Sequence, residues 1–454
     1  MGQPVLFDVK TGDSGDEVQR LEQKYARRMR EDLRMGNLVS YVGNKEVPLL
    51  RLYRYKEAFA FRFVEEWLNR LGVHREDTVF DPFCGMGTTL LAASCQGILA
   101  VGTDRLPVAV FIARTLPLFF QVRPGELTRV FEHLRQTVPS AEPASVAMDV
   151  AIMGVAFPAE TLLALRRWKA AIDGLDSPFR EIFLLLFFSV LEACSYTSKD
   201  GQFLRLRRDK RPADPEEALA GKVREAETDV RWIRELGWDR AFLPFQVVLG
   251  DTRRLDEVPF ERPPTAIITS PPYANRYDYT RTYSLELCFH FVRNFAELRE
   301  LRHSLLRSHI EARLAPAEEA PHPAVRELVD FLRARSKALN NPRIPDMLTG
   351  YFVDMQKAIR EWRRVLAPSA RVAMVVDNVR FEGRMLPVDL ILSEMAEEEG
   401  FIVEEIVVAR YKGNSSQQMG RYGRVPVRES VVVWRKHWNS TAISSPTGLL
   451  WRVS

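Results

Sequence analysis

Residues 266–283 contain the stretch with the clearest chemistry, because an apolar run ends there in Ser270-Pro271-Pro272-Tyr273. Two prolines cannot continue a strand, and they stiffen a backbone whose carbonyl groups lack local N–H partners. The Ser270 hydroxyl and a proline carbonyl can therefore each accept one hydrogen of an amino group, while the Tyr273 ring stacks on the attached aromatic ring. A Pro-Pro turn packed by an aromatic side chain is the alternative that the tetrapeptide alone also fits.

Such a site suits the methylation of an exocyclic amino group. The nitrogen is a weak nucleophile because its lone pair is delocalised, so orienting it in line with a sulfonium methyl group supplies most of the catalysis. This chemistry requires neither a cysteine nucleophile nor a metal ion. The four cysteines also show no metal-ligand spacing, so we predict a site without a metal.

A second group of residues indicates a nucleoside pocket. The stretch 79–97, VFDPFCGMGTTLLAASCQG, reads as a strand, a turn and a helix, and Gly85 and Gly87 allow a ligand to approach the backbone closely. Asp104 ends the next strand nineteen residues after Gly85, where an acidic residue can bind ribose hydroxyls. Asp251 ends a further strand and can accept a hydrogen bond from an adenine amine. The alternative is that these acids only cap strand ends.

The ligand of this pocket is predicted to be an adenosine cofactor, but neither a dinucleotide nor a nucleoside triphosphate. A dinucleotide fingerprint needs a third glycine at the place where the apolar pair Leu90-Leu91 stands. The sequence also has no Gly-Lys-Ser/Thr triplet, and so it has no P-loop.

Seven runs of β-branched and aromatic residues predict strands, and helical patterns lie between several of them. The predicted strands are 78–80, 99–103, 245–249, 266–269, 371–376, 401–408 and 427–434. The predicted helices include 88–96, 351–365 and 388–399. This alternation favours a parallel α/β sheet that binds its ligands at the carboxyl ends of the strands.

Two segments interrupt the alternation. Residues 115–244 read as mostly helical and are long enough for a domain, whereas residues 293–345 are polar, rich in arginine and broken by prolines. We expect an N-terminal segment with a helix, a cofactor half of the core, the helical insertion, a catalytic half, an arginine-rich arm, the C-terminal strands and a tail. These seven parts span 1–70, 71–114, 115–244, 245–292, 293–345, 346–438 and 439–454.

Composition excludes several classes of protein. The chain has 454 residues, 46% hydrophobic and 27% charged, as is usual for a globular protein. Its apolar run 182–190 is too short for a membrane span, and the acidic N-terminus is unlike a signal peptide. The cysteine usage fits a reduced cytosol, so we expect a cytoplasmic protein without membrane contact. Arginine dominates the basic residues, which suits phosphate and base contacts or reflects a GC-rich genome.

Three stretches together, DPFCGMGTT, GDTRRL and TSPPYANRYDYTRTYSLEL, resemble the S-adenosylmethionine (AdoMet)-dependent amino-group DNA methyltransferases. These enzymes methylate cytosine N4 or adenine N6, and the matches occur in chain order from about residue 41 to 436. The resemblance implies a Rossmann-like class I methyltransferase sheet of seven strands with an antiparallel last hairpin. It also implies AdoMet as the cofactor, double-stranded DNA as the partner and, in some settings, a cognate restriction or phage-defence protein.

The resemblance implies roles for particular residues. Those around AdoMet would be Asp81, Phe83, Gly85, Gly87 and Thr88 at its methionine and sulfonium, Asp104 at its ribose and Asp251 at its adenine. The catalytic motif would be Ser270, Pro271, Pro272 and Tyr273, around a base taken out of the stack. Contacts to the base and to phosphates would come from Arg276, Tyr277, Tyr279 and Arg281.

A weaker match concerns the helix before the first core strand. The stretch 55–68 resembles that helix of the family, whose start, here Tyr55 and Lys56, contacts the AdoMet carboxylate. Asn44 or Lys45 competes for the same role.

A second weak match lies near the C-terminus, where the stretch 409–436 reads as two strands joined by a polar loop. In the family, this hairpin lies beside the active site, so Ser415 and Gln417 would line the target-base pocket. A solvated hairpin loop is the alternative.

The sequence leaves open which base is methylated and which segment of the chain recognises the DNA. Ser rather than Asp or Asn at position 270 favours cytosine N4, and adenine N6 is the first alternative. An RNA amino-methyltransferase and a non-catalytic DNA-binding protein are the others. Family members with a central recognition domain place that domain between the residues that correspond to Asp251 and Ser270. Here only eighteen residues separate these two positions. Either the insertion 115–244 or the arm 293–345 would therefore read the DNA.

Overall fold

The computed structural model describes residues 15–200, 203–315, 318–413, 423 and 425–437. Within them lie the strands β1 (Met29–Glu31), β2 (Thr78–Asp81), β3 (Leu99–Asp104), β4 (Thr197–Asp200), β5 (Phe203–Leu206), β6 (Gln246–Leu249), β7 (Ala266–Thr269), β8 (Arg371–Asp377), β9 (Val379–Phe381), β10 (Arg384–Leu386), β11 (Phe401–Lys412) and β12 (Val427–Lys436).

The helices alternate with these strands or fill the two insertions. They are α1 (Asp16–Tyr25), α2 (Phe61–Arg70), α3 (Thr88–Ser94), α4 (Pro107–Thr115), α5 (Glu126–Thr137), α6 (Ala159–Asp173), α7 (Phe179–Leu191), α8 (Pro215–Glu235), α9 (Trp238–Ala241), α10 (Tyr279–Thr282), α11 (Ser284–Glu286), α12 (Phe295–Ser304), α13 (Pro323–Ala334), α14 (Ile344–Val365) and α15 (Val388–Glu398). Short 3-10 helices span Leu33–Asn37, Tyr41–Glu46, Leu50–Leu52, Leu116–Gln121, Val138–Ser140, Ala151–Gly154 and Ser336–Ala338, and a π-helical turn spans Leu287–Phe291.

The central sheet has the strand order β1-β11-β12-β8-β7-β2-β3-β6. The run from β6 to β8 is parallel, whereas β12 is antiparallel to both of its neighbours. The Rossmann-like class I methyltransferase fold with an antiparallel last hairpin is therefore confirmed. The sheet has eight strands rather than the predicted seven. The additional strand, β1, pairs in parallel with β11 and escaped prediction because it has three residues, of which two are charged.

Both faces of the parallel run are covered, which explains why its strands read as continuous apolar runs. Every residue of β2 and β7 is buried. Val79 and Ile268 pack on one face with α2, α3 and α4, while Phe80 and Ile267 pack on the other with α14 and α15. The carboxyl ends of β2, β3, β6 and β7 consequently form one edge of a rigid sheet, where ligands of such folds bind.

The predicted helical insertion, residues 115–244, contains helices α5 to α9 and the small hairpin β4–β5. Its helix α7 is apolar around most of its surface, and nine of its thirteen residues are buried. The apolar run 182–190 is therefore the interior of this core helix, which packs in one hydrophobic cluster with α2, α3 and α4. Nowhere in the described part of the chain does a helix combine the length and hydropathy that crossing a bilayer requires.

The predicted arm, residues 293–345, contains α12 and α13. Helix α13 carries Val325, Leu328 and Leu332 on one face, and these side chains are buried against α14 in the second hydrophobic cluster. Much of this segment is therefore folded onto the sheet, in the same layer as α14 and α15.

A buried ion pair fastens the β4–β5 hairpin to the core. Lys199 of β4 and Glu286 of α11 are 4% and 1% exposed, and their charged groups are in direct contact. The Tyr53 hydroxyl donates to Glu286 Oε1 over 2.6 Å and lies 3.1 Å from Lys199 Nζ. Because the surroundings exclude water, each charge depends on the other for its stability.

Replacing Lys199 with Ala leaves Glu286 buried without its counterion, and we expect a loss of about 3–5 kcal/mol in the free energy of unfolding. A urea titration followed by circular dichroism measures this loss. Arg293→Ala is the control, because it removes one partner of an exposed pair with Glu297 and should leave the midpoint almost unchanged. Equal midpoints for the two variants would contradict the structural role of the buried pair.

Candidate active site

Two adjoining pockets open at the carboxyl edge of the sheet. The first, the Asp104 pocket, has an empty volume of about 680 Å³ and is lined by residues that include Tyr55, Phe83, Gly85, Asp104 and Asp251. The second, the Tyr273 pocket, has about 900 Å³ and is lined by residues that include Lys56, Pro271, Tyr273, Asp377 and Glu429. Both pockets are bordered by Glu57, Ser270 and Tyr279, so a ligand in one reaches a ligand in the other at these three side chains.

The turn after β2 forms the floor of the Asp104 pocket. Gly85 and Gly87 have φ angles of +50° and +89°, in the left-handed region that favours glycine. A Cβ on Gly85 would lie 3.1 Å from Cε1 of Tyr55, and a Cβ on Gly87 would lie 3.1 Å from Cβ of Ala113. Gly85 therefore lets the Tyr55 ring lie close against the turn, while Gly87 lets α3 start close against α4.

Asp104 holds this turn and faces the pocket. Its two carboxylate oxygens accept the backbone N–H groups of Gly85 and Leu106, each over 2.9 Å. Each oxygen retains a second lone pair, so the carboxylate can still accept hydroxyl groups of a ligand. Burial raises the pKa of Asp104 above its usual value, and the hydrogen bonds from the backbone oppose this rise.

Asp251 follows β6 at the other end of the pocket and is held by Arg253. The Arg253 guanidinium donates to both Asp251 oxygens, over 2.8 and 2.7 Å, and also to Asp354. Although burial acts to raise the pKa of Asp251, these bonds outweigh it and lower the pKa below its usual value. The residue is therefore a fixed, ionised acceptor.

The other residues predicted at AdoMet take different positions. Phe83 and Tyr55 line the Asp104 pocket, but Lys56 lines the Tyr273 pocket. Thr88 is buried in the first turn of α3, behind the pocket floor. Asn44, one of the two competing residues, is occupied elsewhere: its side chain donates to the Phe59 carbonyl and accepts the Phe61 N–H.

Asp81 is buried beneath the turn, with 2% of its surface exposed. Its Oδ1 accepts the Thr269 hydroxyl over 2.6 Å and the Phe83 N–H over 3.1 Å. Burial raises the pKa of Asp81 to about 6, and these hydrogen bonds limit the rise. Asp81 thus ties the end of β2 to the end of β7 and does not itself line the Asp104 pocket.

The catalytic motif predicted from the sequence lies between the two pockets. Ser270 borders both, Pro272 the Asp104 pocket, and Pro271 and Tyr273 the Tyr273 pocket. The Ser270 hydroxyl donates to the Val375 carbonyl of β8 over 3.3 Å. The Tyr273 hydroxyl donates to Glu429 Oε1 of β12 over 3.0 Å, which holds the outer end of the side chain.

Sequence reasoning missed the charged wall of the Tyr273 pocket. Glu429 is 1% exposed and is paired with Arg410 and Lys412, while Lys412 also contacts Asp377 over 3.3 Å. Asp377 Oδ1 is buried and has no hydrogen-bond partner among the described residues. Burial raises the pKa of Asp377 to about 7, with Lys412 opposing the rise. Its position at the end of a predicted strand was the one available signal.

Glu57 is another border residue that the sequence did not single out. The hydroxyl groups of Tyr277 and Tyr283 both donate to its carboxylate. Tyr277 and Tyr279, which were predicted to contact the base, line the Tyr273 pocket, and their rings meet edge to face.

The predicted DNA-contacting arginines differ from each other. Arg276 has a φ of +74°, and burial lowers its pKa. No described acidic group pairs with it. Arg281 already pairs with Asp278 and Glu311, over 3.4 and 3.0 Å. Ser415 and Gln417 lie outside the described residues.

The 293–345 segment forms part of the wall of the Asp104 pocket. Leu305, Leu306 and Ser308 form part of the pocket wall. Arg307 between them is held by Asp354 of α14 over 2.7 Å.

In the described part of the chain, no cluster of three or more His, Cys, Asp or Glu side chains is placed to hold a metal ion.

The Asp104 pocket has the chemistry that AdoMet requires. Gly85 lets the Tyr55 ring, which also lines the pocket, lie close against the turn, and two carboxylates at separate strand ends provide acceptors suited to the hydroxyl and amino groups of a nucleoside. Together with the sheet, this pocket defines an AdoMet-dependent class I methyltransferase.

Comparison with known proteins identifies the family. A family model described as DNA methylase (N6_N4_Mtase) matches residues 26–114. The chain is 32% identical to Type II methyltransferase M.BsoBI of Geobacillus stearothermophilus, over 92% of this chain and 91% of that protein. It is 34% identical to Type II methyltransferase M.AvaI of a Nostoc species, over 95% and 97%. The chain belongs to the AdoMet-dependent amino-group DNA methyltransferases, and AdoMet is its methyl donor.

Replacing Asp104 with Ala should weaken AdoMet binding roughly tenfold to a hundredfold. The variant loses a charged acceptor worth about 1.5–3 kcal/mol, and the Gly85 turn loses its anchor. Isothermal titration calorimetry with AdoMet measures the effect. Asp77→Ala is the control, because Asp77 accepts one backbone N–H in an exposed turn away from the pocket. Unchanged affinity in Asp104→Ala would remove this residue from the AdoMet site.

Proposed function

We propose that the chain methylates the N4 amino group of cytosine at a specific sequence of double-stranded DNA, with the cytosine extruded into the Tyr273 pocket. The observation that carries this proposal is the geometry of Ser270, a neutral acceptor on the border between the two pockets. In the family that the sequence resembles, Ser rather than Asp or Asn at this position favours cytosine.

Ser270 is prepared to accept an amino hydrogen. A hydroxyl group has one hydrogen and two lone pairs, and Ser270 can donate its hydrogen to the Val375 carbonyl or to the Tyr273 hydroxyl. Its lone pairs are therefore left for an amine N–H. The Pro271 carbonyl, on a backbone that proline stiffens, provides a second acceptor for the same amino group. Two acceptors orient the nitrogen and draw electron density onto it.

Tyr273 supplies the surface on which the extruded base stacks. Its hydroxyl is bonded to Glu429, and Glu429 is neutralised by Arg410 and Lys412, so the ring is held by an anchored network. A base cannot reach a pocket at the sheet edge while it is stacked in a duplex, so the nucleotide must be extruded from the helix.

When bound, AdoMet would supply an electrophilic methyl group: the N–CH3 bond would form as the S–CH3 bond breaks, which would leave a neutral thioether and a cationic amine. The nitrogen must then release one proton. Asp377 lies in the wall of the same pocket, and its Oδ1 has no hydrogen-bond partner among the described residues. The ionised carboxylate stabilises the developing positive charge and then accepts the proton, which later passes to solvent.

The biological setting follows from the same proposal. We place the enzyme in the cytoplasm of a prokaryote, where it modifies duplex DNA and protects a sequence from a cognate restriction or phage-defence protein. The relatives of the chain are Type II methyltransferases, which supports this setting.

Replacing Ser270 with Ala should lower the rate of methyl transfer by about a hundredfold with little change in AdoMet affinity, because the lost bond matters most as charge develops on nitrogen. Transfer of tritiated methyl groups from AdoMet to duplex DNA measures the rate. Tyr273→Phe is the matched control, since it keeps the stacking ring and should retain most activity. Wild-type turnover by Ser270→Ala would remove Ser270 from catalysis.

Methyl transfer should depend on the ionisation of Asp377. Since burial raises its pKa to about 7, the acceptor is protonated below this value, and the single-turnover rate should rise between pH 6 and 8. Asp377→Asn should be slower and should lack this rise, while binding AdoMet as well as the wild type does. A rise that persists unchanged in Asp377→Asn would show that another group titrates.

A further inference from the structure

The β4–β5 hairpin leads into the most basic short segment near the catalytic edge. Residues 203–211 read FLRLRRDKR, with five basic residues and one acidic residue. The side chains of Arg205, Arg207, Arg208 and Arg211 are exposed. We refer to β4, β5 and residues 207–211 together as the basic hairpin.

Besides the buried pair of Lys199 with Glu286, backbone hydrogen bonds and Lys210 hold the basic hairpin in place. The Arg207 N–H donates to the Tyr196 carbonyl over 2.6 Å, and the Ala213 N–H donates to the Ala193 carbonyl over 3.0 Å. Lys210 Nζ donates to the carbonyls of Thr197 and Glu192, the first over 2.7 Å. Arg208 and Arg211, on either side of Lys210, are therefore presented from a fixed loop, which reduces the entropy lost on binding.

The basic hairpin lies next to the Tyr273 pocket. Strand β5 contacts α10, whose first residue, Tyr279, borders both pockets. From β4, Lys199 Nζ lies 4.4 Å from the centre of the Tyr283 ring, and the Tyr283 hydroxyl donates to Glu57 at the junction of the pockets. One layer of side chains thus separates the hairpin from the catalytic residues.

Two arginines of the basic hairpin, Arg208 and Arg211, differ in their pairing from two arginines of the 293–345 segment, Arg302 and Arg307. Within the described residues, neither Arg208 nor Arg211 has an ion-pair partner. In the 293–345 segment, Arg302 pairs with Asp278 and Arg307 pairs with Asp354, over 2.9 and 2.7 Å. A phosphate that bound these two arginines would have to displace a carboxylate, whereas Arg208 and Arg211 can bind one directly.

We propose that the basic hairpin is a DNA-binding surface, on which Arg208 and Arg211 contact phosphates of the duplex beside the extruded nucleotide. The inference rests on the proposed function, because it needs a duplex whose base enters the Tyr273 pocket. An arginine fork binds phosphate oxygens through two N–H groups, and a two-stranded ribbon has dimensions that the major groove admits. The helical insertion therefore docks the DNA through this hairpin.

The double variant Arg208→Ala/Arg211→Ala tests the proposal. Duplex DNA binding, measured by fluorescence anisotropy between 50 and 300 mM KCl, should weaken. The log–log salt slope should become shallower by about 1.8, which is about 0.9 for each lost phosphate contact. AdoMet affinity and the methyl-transfer rate at saturating DNA should stay at wild-type values, because neither arginine lines a pocket.

Arg224→Ala/Arg231→Ala is the matched control, since both arginines are exposed on α8 of the same insertion and the charge change is identical. It should leave the salt slope unchanged. A wild-type slope in the hairpin variant, or equal losses in the two double variants, would overturn the hairpin proposal and leave the proposed function standing. If wild-type enzyme failed to transfer tritiated methyl groups to duplex DNA, the proposed function and the hairpin inference would fall together.

Discussion

The hydrogen bond between Thr269 and Asp81 sets the geometry on which the site depends. It joins the last residue of β7 to the last residue of β2 over 2.6 Å. Ser270 follows Thr269, and the glycine-rich turn follows Asp81, whose carboxylate also accepts the Phe83 N–H. One buried carboxylate therefore sets the distance between Ser270, the proposed amine acceptor, and the turn that forms the floor of the Asp104 pocket.

Aromatic side chains extend this constraint across the junction of the two pockets. Tyr55 packs against Gly85 and stacks on Tyr283, with ring centres 5.1 Å apart. The Tyr283 hydroxyl donates to Glu57, and the Lys199 ammonium group lies over the face of the Tyr283 ring. The pocket floor, the pocket border and the insertion are thus linked through one ring. In the proposed reaction, DNA docking on the insertion and alignment of the amine would share a single rigid support.

The core of the fold was predictable because its signals are local. Buried parallel strands read as short apolar runs, and polar residues that end them, such as Asp104 and Asp251, stand at one edge of any such sheet. The strand β1 and the hairpin β4–β5 were not predictable in this way. They are short and rich in charged residues, and partners distant in the sequence stabilise them.

The site was less predictable than the fold, since much of it depends on contacts between distant residues. Glu429 lies 156 positions from Tyr273 in the chain, and no local pattern indicates that a carboxylate from the last strand accepts the Tyr273 hydroxyl. The same limit applies to Arg281, whose pairing with Glu311 appears only in the folded chain. Side-chain types predicted the chemistry, but their availability for DNA depended on the tertiary structure.

The identity of the methylated base tests the account most directly. Duplex DNA incubated with the purified enzyme and AdoMet can be digested to nucleosides and analysed by mass spectrometry against synthetic standards. The account predicts N4-methyldeoxycytidine as the product. N6-methyldeoxyadenosine in its place would contradict the role assigned to Ser270 and the cytosine assignment of the Tyr273 pocket.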